Sequence, residues 1–192
     1  DAVALHRVTR DWTEAATWLT TDGTAAWSQA GGDVHSAAVA STPFTAAGTW
    51  LNWDVTALAD RWVKGSLPNQ GVQLRPGAAI TGLQLASSDN TTAAQRPKLS
   101  VTFLPPCGWT PPDTMVALGP LADVDINKNL PNLNFGAEPD LYLSKGYEAR
   151  PLLKFDLAAI TRGKTVKSAR LRLYFKSLTI NATAATKTSQ IP

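Results

Sequence analysis

Arg170, Arg172 and Lys176 fall at even spacings, so an extended chain sets them in one row, and Lys154 joins them if its strand lies alongside. A row of this kind can hold the carboxylates of an acidic sugar, arginine through two parallel N–H donors. The alternative is a solvated outer face whose charges pair across strands. Trp50, which faces away from Trp53, and Trp109, which sits among prolines, are the best candidates for a ligand platform or an interface anchor. Asp123 and Asp125 share one face of an extended segment, and Asn132 or Asn134 in the turn that follows could add oxygens, a hard-ligand set suited to Ca²⁺. Turn and strand-end chemistry accounts for the same residues, because Asn, Pro and Gly crowd the stretch from Asn129 to Gly136.

Other chemistries find less support. Asp11 with Glu14, or Asp54 with Asp60, supplies paired carboxylates, but these spacings do not build an acid and a base across a cleft, and Asp54 is better placed as a helix cap. His6 and His35 lie in no nucleophile or metal motif. Two histidines and one cysteine leave too few ligands for a usual zinc site. The chain is therefore expected to be non-catalytic, with calcium as the one cofactor to consider. Cys107 cannot bridge within its own chain; it is read as an intermolecular disulfide or attachment point, or else as an inert thiol in a proline-rich strap. Asn90 and Asn181 each begin an Asn-X-Thr pattern, which is frequent by chance.

The elements that must position these residues are strands. With 192 residues, 44% hydrophobic and 17% charged, the chain can bury one sizeable core or two small ones. A net charge of +3 with scattered Lys and Arg argues against nucleic acid, and no apolar run is long enough to insert in a membrane. No export signal stretch precedes Asp1 in the sequence at hand, so any such signal is expected outside it. Apolar residues repeat with period two, interrupted by turns. Ala169, Leu171, Leu173 and Phe175 alternate with Arg170, Arg172, Tyr174 and Lys176, and Leu99, Val101 and Phe103 alternate with Lys98, Ser100 and Thr102. Val72 and Leu74, Leu141 and Leu143, and Leu153 and Phe155 mark further strands, the last with Lys154 pointing outward. Val55, Leu58, Ala59 and Trp62 predict one short helix, capped by Asp54 and stopped by Gly65. A shorter helical turn is expected after Asp156, echoing the Asp54 stretch. Of the seven tryptophans, Trp18, Trp27, Trp53 and Trp62 follow apolar patterns and are expected in the core, and Trp12 could close one end.

Two groups of motifs then show a family likeness. Arg7-Val8-Thr9-Arg10-Asp11-Trp12-Thr13-Glu14, the Trp50 to Trp62 segment, Pro68-Asn69-Gln70-Gly71-Val72, Ala86-Ser87-Ser88 and Arg96-Pro97-Lys98-Leu99-Ser100-Val101 resemble the closing half of a DNRLRE domain. Ala122-Asp123-Val124-Asp125-Ile126, Asn134-Phe135-Gly136, Leu152-Leu153-Lys154-Phe155-Asp156-Leu157 and Ser168-Ala169-Arg170-Leu171-Arg172-Leu173-Tyr174 resemble its opening half, so the halves stand in reversed order. The resemblance implies a jelly-roll-like β-sandwich of large secreted or surface-anchored microbial proteins, some members being similar to carbohydrate-binding modules for acidic polysaccharides such as alginate.

The expectation is an all-β, jelly-roll-like sandwich with one short helix, built from two half-domains in permuted order. Residues 1–104 are the closing half, 105–118 a proline-rich linker and 119–192 the opening half. Either the halves close on each other, or each is completed by another copy, a head-to-tail contact that grows a fibre. An extracellular or cell-surface structural module, partnered by other copies of itself or adjacent repeats, is the leading expectation. The alternative is a binding module for anionic, alginate-like polysaccharide attached to a secreted enzyme.

Overall fold

A computed structural model describes residues 1–44, 46–104, 113–160 and 162–178. Cys107, Trp109 and Asn181 lie outside the described residues. In chain order the strands are β1 (Ala2–Arg7), β2 (Ala40–Pro43), β3 (Thr49–Asp54), β4 (Val72–Pro76), β5 (Leu83–Ala86), β6 (Lys98–Phe103), β7 (Thr114–Leu118), β8 (Pro120–Asn127), β9 (Asp140–Leu143), β10 (Ala149–Phe155) and β11 (Val166–Leu178). One helix, α1 (Thr56–Val63), follows β3. The protein is an all-β sandwich of two antiparallel sheets, ordered β2-β1-β4-β10-β8 and β7-β6-β11-β5-β9, with β3 added to the free edge of β11.

Alternation decides which side of each strand is buried. Leu171, Leu173 and Phe175 of β11, Leu99, Val101 and Phe103 of β6, and Leu51 and Trp53 of β3 point between the sheets, where they meet Val3 and Leu5 of β1, Val72 and Leu74 of β4, and Leu153 and Phe155 of β10. Trp53 donates its indole N–H to the Val3 carbonyl at 2.9 Å, so this large side chain is buried with its donor met.

A second cluster lies on the other face of the five-stranded sheet. Trp12, Trp18 and Trp27, with Ala16 and Phe135, cover Val8, Val124, Ile126 and Leu152. The segment between β1 and β2 thus roofs that sheet, which is why Gln73, outward by alternation, is fully buried. Its amide is satisfied by the Gly31 carbonyl at 2.9 Å.

The two sequence halves share both sheets. β11 lies between β3 on one edge and β6 with β5 on the other, and β10 pairs with β4, Leu152 opposite Gln73 and Leu153 opposite Val72. The complement that the sequence reading sought in a neighbouring copy is therefore supplied within one chain. Connectivity gives the reason: β7 pairs antiparallel with β6, and Gly119 alone separates β7 from β8 in the opposite sheet. The second half is tethered where it must dock, at an effective concentration a free copy does not match. Residues 114–118, placed in the linker by their proline-rich surroundings, are strand β7.

Gly71 lies where the halves pack closely against each other. Its φ is +77°, and a Cβ there would collide with the Leu153 carbonyl, so a side chain at this position is excluded by both conformation and space.

Helix α1 begins one residue later than the cap reading places it: Val55 is the N-cap, and Asp54 accepts the Thr56 N–H at 2.9 Å from just outside. Gly65 ends it as expected, with Gly65 N–H bonded to Trp62 O and Ser66 N–H to Arg61 O, both at 3.0 Å, the two bonds of a Schellman stop. Asp156 repeats the Asp54 contact, accepting the Ala158 N–H at 2.8 Å, but that segment closes as a turn through Ile160 N–H to Leu157 O rather than as a helix.

Candidate functional site

The outer face of the six-stranded sheet collects the residues that alternation leaves outside β3, β11 and β6. Pairing sets Trp50 opposite Tyr174, and Arg172 opposite both Asn52 and Lys98. The Arg172 guanidinium lies 4.7 Å from the Trp50 ring centre, Lys98 Nζ lies 5.9 Å from it, and the Tyr174 ring meets it edge-on at 5.4 Å. The indole is half-buried, with part of it open to solvent.

Like charges directly opposite across a strand pair destabilise a sheet unless something compensates. Lys98 and Arg172 stand in that relation, and neither has a carboxylate within salt-bridge distance among the described residues. The Arg172 Nε is buried and has no hydrogen-bond partner among them. The indole offsets part of the repulsion through its electron-rich face. What remains is a pair of half-buried cations beside an aromatic ring, an arrangement that can stack on a sugar and draw a carboxylate.

The predicted cations divide into distinct environments. Arg170 extends the row of Arg172 and is exposed, its charge answered by Asp54 directly opposite on β3, whose own pKa is held below the ordinary carboxylate value chiefly by hydrogen bonds from Thr56 and to a smaller degree by Arg170. Lys176 is bound to Asp140 at 2.5 Å, and Asp140 is further held by Gln84 and Asn90, so this lysine belongs to a closed polar network. Lys154 does not join the row. It belongs to the opposite sheet, where Nζ donates to Asp11 at 2.6 Å and to the Trp12 carbonyl at 2.8 Å and lies 5.3 Å from the Trp12 ring centre. Outward on its strand means under the roof of the five-stranded sheet, a distinction that alternation alone does not contain.

Lys98 and Tyr174 were not singled out from the sequence. Both were legible as outward positions of well-marked strands, but their meeting at Trp50 depends on the β3–β11–β6 register.

The calcium candidates are likewise redistributed. Asp123 and Asp125 are both buried on β8. Both Asp123 oxygens accept bonds from Ser88, from N–H and hydroxyl at 2.7 Å each, and its neighbours among carboxylates are Glu14 and Asp89, with ligand atoms all within 4.8 Å of one another. Burial pushes the Asp123 carboxyl up to about 6, with repulsion from Glu14 and Asp89 adding to it and the Ser88 bonds opposing. Asn134 is a loop staple: its amide donates to the carbonyls of Glu14 at 2.6 Å and Ala16 at 2.9 Å, and its oxygen accepts from Gly136 N–H. Asn90 is buried and donates to Pro139 O at 3.0 Å, so its side-chain nitrogen is a structural donor. Of the carboxylates considered for catalysis, Asp11 binds Lys154 and Asp60 binds Lys64 at 2.7 Å.

The fold and this face together define a β-sandwich with an aromatic and cationic platform on one sheet. Residues 114–190 match the family model of carbohydrate-binding module family 96, a stretch that runs from β7 past β11 and includes Arg170, Arg172, Tyr174 and Lys176. The match covers about two fifths of the chain, and Trp50 and Lys98 lie outside it. No curated protein and no solved structure matches the chain.

Proposed function

We propose that this chain is a non-catalytic, extracellular module that binds an anionic, alginate-like polysaccharide on the outer face of its six-stranded sheet. Trp50 stacks on a sugar ring, while Arg172 and Lys98 hold uronate carboxylates beside it, with Arg170 extending the contact along the strand. The observation that carries this reading is the Lys98–Arg172 pair, directly opposite each other on β6 and β11 and both close to the Trp50 ring, without a protein counter-ion among the described residues. The similarity of residues 114–190 to a carbohydrate-binding family supports it. The resemblance to DNRLRE domains, some of them like alginate-binding modules, points the same way.

Exchange of half-domains between copies has no comparable support, because both sheets are completed inside one chain. Affinity electrophoresis separates the readings. The chain is expected to be retarded in gels containing alginate and to run freely in gels containing a neutral glucan, with Trp50→Ala and Arg172→Ala each reducing the retardation. Equal mobility in both gels, or retardation untouched by either substitution, overturns the proposal.

A further inference from the structure

The five-stranded sheet carries a second concentration of positive charge, far around the sandwich from Trp50. Extending the pairing of Leu152 with Gln73 by two residues brings Arg150 of β10 opposite Arg75 of β4, again two like charges across one strand pair. Arg150 lies over the Trp18 ring at 4.7 Å, donates to the Gly31 carbonyl at 3.1 Å and reaches Glu148 at 2.9 Å. Arg75 donates to the Gln73 side chain at 2.9 Å and has no ion-pair partner among the described residues.

Among the described residues, Glu148 is the acid that forms ion pairs with this group. It binds Lys128 at 2.6 Å as well as Arg150, and Lys145 and Arg75 lie close enough to interact with it, so four cations share a single carboxylate. The surplus is felt by the neighbours: burial lowers the pKa of His6, and Arg75, His35 and Arg150 each push it further down, against a hydrogen bond to the His35 carbonyl. The turn that delivers Glu148 is strained. At φ 46° it is the single non-glycine residue with positive φ among the described residues, a departure that tends to persist where surrounding structure or a ligand demands it.

We propose that Arg75, Arg150, Lys128 and Lys145 form a second carboxylate-binding site around Glu148, on the far side of the sandwich from Trp50, so that one module ties together two strands of anionic polysaccharide. The proposal rests on the reading of the Trp50 platform for the identity of the ligand, but it uses none of the platform's residues. Because the two sites face away from each other on opposite sheets, a short oligosaccharide cannot occupy both, and a long polymer is bridged to another.

Isothermal titration with an alginate hexasaccharide, with a neutral hexasaccharide as control, tests this on the whole chain. The wild type is expected to bind two hexasaccharides and Trp50→Ala one. A double variant, Arg75→Gln with Lys145→Gln, keeps the Glu148 bonds to Lys128 and Arg150 and is expected to weaken the second site by about tenfold or more. Long alginate should scatter light strongly with wild type and weakly with either variant. If Trp50→Ala, folded by circular dichroism, binds no hexasaccharide, the second site is overturned and the platform stands. If Trp50→Ala changes nothing and the double variant removes binding, the platform is wrong and the second site stands. Absence of binding by the wild type overturns both.

Discussion

Replacing Asp123 with Asn should make the protein more stable at neutral pH and leave it unchanged in acid. Asp123 is buried, and its carboxyl titrates at about 6 in the folded chain against an ordinary 3.8. Between those values the folded protein keeps a proton that the unfolded chain has released, so stability falls as pH rises through this window and this group adds no further change above it. A shift of about two units corresponds to about 3 kcal/mol of cost for keeping the ionised carboxylate buried at pH 7. Asparagine cannot ionise, and it preserves the geometry: its oxygen can accept the Ser88 N–H while its amide donates to the Ser88 hydroxyl oxygen, the two positions now bonded at 2.7 Å. Urea unfolding of both proteins from pH 4 to pH 8 should show curves that coincide near pH 4 and separate by up to about 3 kcal/mol by pH 7, Asn above Asp. In thermal unfolding the same gap is about 6 to 12 °C for a domain of this size. A difference independent of pH, or a wild type that gains on the variant as pH rises, would refute the reasoning and show that Ser88 holds a stable carboxylate.

Further outcomes follow from other contacts. Gly71→Ala should destabilise by roughly 2 to 4 kcal/mol in denaturant unfolding, since it strains the backbone and forces β4 away from Leu153 where the halves join. Lys154→Ala should lose about 1 to 2 kcal/mol by freeing Asp11 and the Trp12 carbonyl, with affinity for alginate unchanged, because this lysine lies under the Trp12 roof. Calcium titration tests the carboxylate cluster: binding by Glu14, Asp89 and Asp123 predicts a rise in Tm that Asp123→Asn removes, and a constant Tm at millimolar calcium takes the metal out of the account.

Much of the framework was legible in the sequence because it follows from local chemistry. The strict alternation of β6 and β11 fixed their inner and outer faces, the Asp54 and Gly65 signals bounded α1 to within a residue, and the apolar setting of Trp18, Trp27, Trp53 and Trp62 placed them in the core. The site was legible in part for the same reason. Trp50 and Arg172 were recognisable as outward residues, whereas their contact, and the presence of Lys98 and Tyr174 beside them, arises from pairing between strands distant in sequence. Lys154 shows the limit: an outward position names a face but not the sheet, and the aperiodic segment from Val8 to Val39 turns one outer face into interior. Whether the halves meet within a chain or between chains is also invisible locally, because identical copies offer identical partners and connectivity alone breaks the tie.

The claim on which the functional account rests is that Trp50 and its cations are where the glycan lies. An NMR titration of the ¹⁵N-labelled chain with alginate hexasaccharide, with the Trp50 indole signal assigned by its loss in Trp50→Phe, tests it most directly. The account predicts saturable shifts of that indole N–H and of the backbone at Lys98, Arg172 and Tyr174, and none with a neutral hexasaccharide. A Trp50 signal that stays fixed while the oligosaccharide binds elsewhere, or is not bound at all, would contradict it.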